Sequence, residues 1–400
     1  MKDRSFRIAI VVACIVAFGI SNGCKDSPQQ DDHPDLKIFK RDQMKEKERI
    51  SFDDTEFIDS CVFIQLETSE KALIGEIKLL ETFEGKFYIY DRQTEKLKVF
   101  GPSGEFLYDI GRMGQGSGEY ISIHLFVINP KERKICVFDP MKMAVHEYSL
   151  EGKFLQSKEH HQAKYADMKK AVYAGDILYC LSSVNDEDNL NWTYTVLSSN
   201  DYSVQERFRH YPVQSPQWHS YSLMYHPFSF INGEFHYTSL FSDTIYRYEN
   251  GLEIPYILIE TGKPNIPPTY FKNRELVNEP NKAYYEVLND TRYSEGFTEL
   301  GETDRFLLTN TLLNRFFYFL DKKENKGYYV KTDYYTPDLS MPQLVDGNKL
   351  IRVWDQNAIE RYQDEIKEGK RQCPDAISKL IEGYDPGFHN PILVVYYMKQ

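Results

Sequence analysis

The sequence predicts an all-β fold: a six-bladed β-propeller whose last blade is closed by the N-terminal strand, with small helical insertions on one face. Three observations carry this expectation. The 400 residues include 30 Tyr and 25 Phe, types that fit the pleated surface of a strand. Two neighbouring stretches repeat one another at a fixed offset. Short apolar runs then recur up to the C-terminus, separated by turn-forming residues.

The repeat can be read residue by residue. Asp91 and Asp139 each end an apolar run, Phe87–Asp91 and Ile135–Asp139, and lie 48 residues apart. Phe100 and Tyr148, Gly104 and Gly152, and Phe106 and Phe154 keep the same offset. A period of this size with several short strands per unit marks a propeller blade, a small sheet that cannot bury both faces alone. Within the unit, the run ending in Asp91 is strand B, Lys96–Phe100 is C, and Glu105–Ile110 is the outer strand D. A glycine-rich stretch, Gly111–Tyr120, leads to the next inner strand A near Ile121–Ile128, where glycine permits positive φ and close backbone approach. Later units are weaker. Strand runs near 176–208, 234–260 and 305–330 give blades three to five, and Lys349–Trp354 with Pro391–Met398 supplies part of the last. The unassigned run Cys61–Leu66 is expected to complete that blade and remove a sheet edge. The period alone would give seven units, and the helical insertions reduce the count to six.

Before the propeller comes a targeting segment. Lys2, Arg4 and Arg7 precede an apolar run, Ile8–Ile20, too short to span a bilayer comfortably and suited to a secretory leader. Cys24 follows a small residue at the end of that run, as in a bacterial lipoprotein signal, so it is the expected lipidation site. An ordinary cleaved leader with an incidental cysteine is the alternative. The expected organisation is therefore a signal over 1–23, a flexible tether over 24–50, and the propeller over 51–400. The formal net charge of −12 becomes −14 once Lys2, Asp3, Arg4 and Arg7 leave, which argues against nucleic acid as a partner. Export permits disulfides among Cys61, Cys136, Cys180 and Cys373, although burial as small apolar side chains is the default. No CxxC spacing points to zinc.

Ile110-Gly-Arg112 through Gly118-Glu119-Tyr120, with Ser242–Tyr246 and Asn390–Val394, resembles the six-bladed β-propeller lipoproteins of Bacteroidetes, relatives of the NHL-type propellers. Ser117 stands where that family usually has Pro. The resemblance implies export and lipid anchoring at the outer membrane, and it leaves activity undefined.

Candidate chemistry is sparse. Asp91 and Asp139 are ligand candidates that also suit turn capping. Arg112 and Glu119, beside Tyr120, either clasp their own loop or clamp a carboxylate or sugar. His210, His219 and His226 share an aromatic segment without metal-ligand spacing. No nucleophile elbow or phosphate loop is present. B–C loops and D–A connections of a propeller open on one face, so the long segments 209–225, 261–293 and 356–390 are expected to crowd that mouth. Helices are expected within Tyr270–Leu288 and around Ile359, Tyr362 and Ile366. The function expected is a non-catalytic, monomeric envelope lipoprotein that binds a glycan, a peptide or an envelope protein at this mouth, without cofactor. The alternative is a metal-dependent hydrolase or lactonase, since related six-bladed rings hold calcium in the channel.

Overall fold

The computed structural model describes residues 35–159, 168–185, 190–212, 226–239, 241–267, 270, 289–294, 296–311, 316–331, 336–385 and 387–400. Three strands come first: β1 (Lys37–Lys40), β2 (Lys45–Lys47) and β3 (Ile58–Gln65). Blade 1 is β4 (Ile77–Phe83), β5 (Lys86–Asp91), β6 (Lys96–Phe100) and β7 (Phe106–Ile110). Blade 2 is β8 (Leu125–Asn129), β9 (Lys134–Asp139), β10 (Ala144–Ser149) and β11 (Phe154–Glu159). Blade 3 is β12 (Lys170–Ala174), β13 (Ile177–Asn185), β14 (Leu190–Ser198) and β15 (Val204–Pro212). Blade 4 is β16 (Phe228–Ile231), β17 (Glu234–Tyr237), β18 (Thr244–Glu249) and β19 (Leu252–Glu260). Blade 5 is β20 (Phe297–Glu302), β21 (Phe306–Thr311), β22 (Phe316–Asp321) and β23 (Lys326–Lys331). Blade 6 is β24 (Leu344–Asp346), β25 (Lys349–Trp354) and β26 (Ile392–Met398), completed by β3.

The ring closes as expected. β3 pairs antiparallel with β26, from Gln65 opposite Ile392 to Ile58 opposite Met398. The repeat glycines show why the closure is specific. A Cβ on Gly104 would lie 2.3 Å from the Gln65 carbonyl oxygen, and one on Gly152 would lie 3.1 Å from that of Asp109. Each C–D turn therefore butts against the outer strand of the blade before it, and β3 fills that role for blade 1. The aromatic pairs repeat too. Phe100 opposes Phe106 after a bulge, with ring centroids 5.7 Å apart. Tyr148 opposes Phe154 in the same way at 5.8 Å.

Strand alternation builds the core. In β5, Tyr88 and Tyr90 face blade 2, while Phe87 and Ile89 face blade 6. In β9, Ile135 and Val137 face blade 1, while Cys136 and Phe138 face blade 3. One apolar cluster fills each of the six blade–blade interfaces. Strands with both faces covered need side chains that are apolar throughout, which explains the continuous runs in the sequence. Asn390 locks the seam between blades 6 and 1. Its side chain accepts from the Ile74 N–H at 2.8 Å and donates to the Glu67 and Ala72 carbonyls at 2.6 and 2.9 Å.

The tether expected over 24–50 is shorter than the sequence implies. β1 pairs in parallel with β19, and β2 with β23, so each adds a fifth strand to blades 4 and 5. Leu36 and Phe39 are buried. Arg41 lies over the Phe316 ring at 3.9 Å, and Glu46 accepts from the Tyr329 hydroxyl at 3.0 Å. Cys24 and the rest of the signal and tether lie outside the described residues.

The insertion between β25 and β26 holds two helices, α1 (Gln356–Lys367) and α2 (Asp375–Glu382). Asp355 caps α1 by accepting from the Ala358 N–H at 3.0 Å, and Pro374 precedes α2. Ile359, Tyr362, Ile377 and Ile381 pack into the cluster between blades 5 and 6. Helices expected within Tyr270–Leu288, and most of 209–225, lie outside the described residues. Cys61, Cys136, Cys180 and Cys373 are free thiols.

Candidate functional site

Of the residues singled out in the sequence, Arg112 and Glu119 bond to each other, while Asp91, Asp139 and Tyr120 bond to the turns and strands around them. Asp91 accepts from the N–H groups of Gly75, Glu76 and Gln93 at 3.1, 2.9 and 3.1 Å, and from the Thr94 hydroxyl at 2.6 Å. Asp139 accepts from the N–H groups of Ile121, Met141 and Lys142 at 2.6, 3.0 and 3.2 Å. Both carboxylates thus pin the incoming A strand to the B–C turn. Arg112 donates to Glu119 at 2.6 Å, and Glu119 also accepts from the Gly116 N–H at 2.8 Å. Tyr120 is buried and donates to the Glu95 carbonyl at 3.3 Å. This arrangement fastens a loop.

Arg112 is 80% exposed, and exposed ion pairs contribute little. Arg112→Ala is therefore expected to move the melting temperature by less than roughly 2 °C. Calorimetry checks this directly. A larger fall would make the clasp a structural keystone.

The inner strands enclose a different site. A channel cavity of about 500 Å³ runs along the ring axis and is lined from all six blades. Phe83, Pro130, Asn232, Asp304 and Gly347 line its outer end, and all lie at or beside the turns between A and B strands. The described cavity therefore opens on the face opposite the expected mouth. No described residue of 356–390 lines it, because the helices are drawn to the apolar interface of blades 5 and 6. Asn232-Gly233 makes one rim hairpin, with φ of 52° and 84°, a two-residue turn that needs positive φ at both positions.

Glu81 from β4, Lys170 from the start of β12 and His226 just before β16 line the cavity. Lys170 Nζ donates to His226 Nδ1 at 2.6 Å, which places the imidazole proton on Nε2. Glu299 of β20 acts on Lys170 through its charge and accepts from Asn310 at 2.8 Å. Burial pushes the Glu81 carboxyl up, against the pull of the Lys170 charge. Burial pushes Glu299 up to about 7, opposed by Asn310 and Lys170. Burial lowers the Lys170 ammonium, opposed by Glu81 and Glu299. Burial and then the Lys170 charge hold His226 well below the usual histidine range. The lumen thus combines an amine, an acceptor imidazole, the raised Glu81 carboxyl and Glu302, which burial raises but His236 and Lys322 hold below the usual range.

Sequence reasoning named His226 as a metal candidate and passed over Glu81, Lys170 and Glu299. The available signal was a charged residue within three A-strand runs, Glu81 in β4, Lys170 in β12 and Glu299 in β20. Among the described residues, no group of three or more His, Cys, Asp or Glu side chains converges as a metal set. No described helix is long and apolar enough to cross a membrane.

The family described as a domain of unknown function, DUF4934, matches residues 36–397. The chain belongs to that family. Its fold is shared with a Bacteroides fragilis protein proposed to be exported, at 18% identity and a TM-score of 0.68, covering 91% of this chain and all of the other. A DUF4221 family member from Bacteroides vulgatus is similar at 10% identity and a TM-score of 0.51, covering 88% of this chain and 99% of its own. No curated protein matches the chain.

Proposed function

We propose that this chain is an exported, lipid-anchored propeller of the cell envelope that binds a small polar ligand in its channel without turning it over. The observation that carries the reading is the cavity itself. It is enclosed by all six blades, and its walls mix apolar side chains with polar groups, among them Glu81, Lys170 and His226, that are placed to orient a ligand. No described residue other than His226 accepts a hydrogen bond from Lys170, so its remaining protons are available to a ligand. The volume fits a monosaccharide, a short glycan end or a dipeptide better than a protein chain. Export and anchoring rest on the leader and Cys24, and the Bacteroides fragilis relative supports export.

The calcium-dependent alternative needs several converging oxygens. Here an ammonium stands beside Glu81, where such a site would place another acid.

Calorimetric titration with monosaccharides, amino acids and dipeptides tests the proposal. A ligand is expected whose affinity falls at least tenfold in Lys170→Met and Glu81→Gln. Binding that ignores both changes, or that Arg112→Ala abolishes instead, moves the site to the opposite face.

A further inference from the structure

Among the described residues that line the cavity, Lys170 is the sole lysine. Its setting differs from that of the other enclosed lysines. Lys134 faces Glu132 and Glu147 at 2.6 and 2.9 Å, and Lys322 faces Glu302 at 2.5 Å. Those ammonium groups are fixed by carboxylates and do not line the channel cavity. Lys98 is also enclosed and donates to the Lys71 carbonyl at 2.5 Å. Lys170 instead bonds to a neutral imidazole, lies 5.2 Å from the Phe228 ring centroid, and faces open space. No described residue donates a hydrogen bond to Glu81, which lines the same space.

We propose that Lys170 captures an aldehyde-bearing ligand, such as the open-chain end of a reducing sugar, as a reversible imine in the channel. This deepens the binding role proposed above and rests on it. The neutral Nζ attacks the carbonyl carbon and forms a C–N bond, while the carbonyl π pair moves to oxygen, which receives the nitrogen proton relayed through His226. His226 Nδ1, 2.6 Å from Nζ, is positioned to accept the proton that nitrogen sheds. The Glu81 carboxyl supplies a proton to the departing oxygen, which leaves as water when the C–O bond breaks. The Glu81 carboxylate takes back the second nitrogen proton, and the C=N bond remains. Amine and aldehyde become imine and water, with no oxidant or reductant. Burial favours the neutral amine that this step requires. Glu302 in the lining and Asp304 at the mouth disfavour an anionic 2-oxo acid relative to a neutral aldehyde.

Incubation of the purified chain with D-glyceraldehyde and sodium cyanoborohydride, followed by intact mass and peptide mapping, tests this. One adduct per chain is expected, at Lys170, at least tenfold faster than at the average surface lysine. Pyruvate is expected to label it at least tenfold more slowly. Lys170→Arg should abolish the fast adduct while slow surface labelling continues. Labelling spread evenly over surface lysines, with Lys170 unmodified, overturns the proposal. If calorimetry still shows a ligand lost in Lys170→Met, the imine alone has failed and the cavity reading stands. If neither is seen, both fail.

Discussion

Glu147→Ala is expected to destabilise the chain by about 3–5 kcal/mol, the cost of removing one partner from a buried charged network. Glu147 is 1% exposed in β10. Its carboxylate accepts from Lys134 at 2.9 Å, Lys158 at 3.0 Å, Tyr202 at 2.8 Å and Gln156 at 2.7 Å. Tyr202 belongs to blade 3, so the network bonds two blades through the buried Glu147, Lys134 and Tyr202. The alanine variant strands the Lys134 ammonium with Glu132 alone. Burial raises the acid, but the four donors outweigh it and hold Glu147 down to about 2 from 4.5. The sign follows from the lowered value. The contribution is complete above about 4.5 and is lost as pH falls from there toward 2. Denaturant unfolding at pH 7 and pH 3 checks this. The gap between wild type and Glu147→Gln should narrow at the lower pH, and a constant gap would place the effect in packing.

Deletion of residues 35–65 is expected to abolish cooperative folding, whereas deletion of 35–47 leaves a folded but weaker ring. The longer deletion removes the eight residues of β3 and with them the outer strand of blade 6. It uncovers a sheet edge along β26 and opens the clusters on both sides. The shorter deletion removes β1 and β2 yet keeps the closure. Loss of Leu36 and Phe39 from the buried set costs roughly 3–6 kcal/mol. Thermal unfolding monitored by circular dichroism separates the cases. A sharp transition in the longer deletion would show that the ring holds without its latch.

What the sequence disclosed depends on how locally each feature is encoded. Blades 1 and 2 were legible because their glycines, turn acids and aromatic pairs each satisfy a need within one blade or against the next. Gly104 and Gly152 each meet a carbonyl of the outer strand before them, Gln65 and Asp109, so the same residue recurs. Blades 3 to 6 lack that punctuation but keep apolar runs covered on two sides, so their strands were legible without the period. β1 and β2 were not. Each is three or four residues long and dominated by lysine, and its pairing uses backbone groups that any sequence carries. The capping role of Asp91 and Asp139 was readable from position. The lumen was not, because Glu81, Lys170 and His226 lie far apart in sequence and meet only when the ring closes.

The strap along blades 4 and 5 also has a mechanical consequence. Tension applied upstream of Leu36 reaches β1 first, then β2, and only then the latch strand β3. The two short strands act as sacrificial links, and breaking them releases slack while the circle stays shut. A body held by its leading end would thus ride out brief tugs with its channel intact.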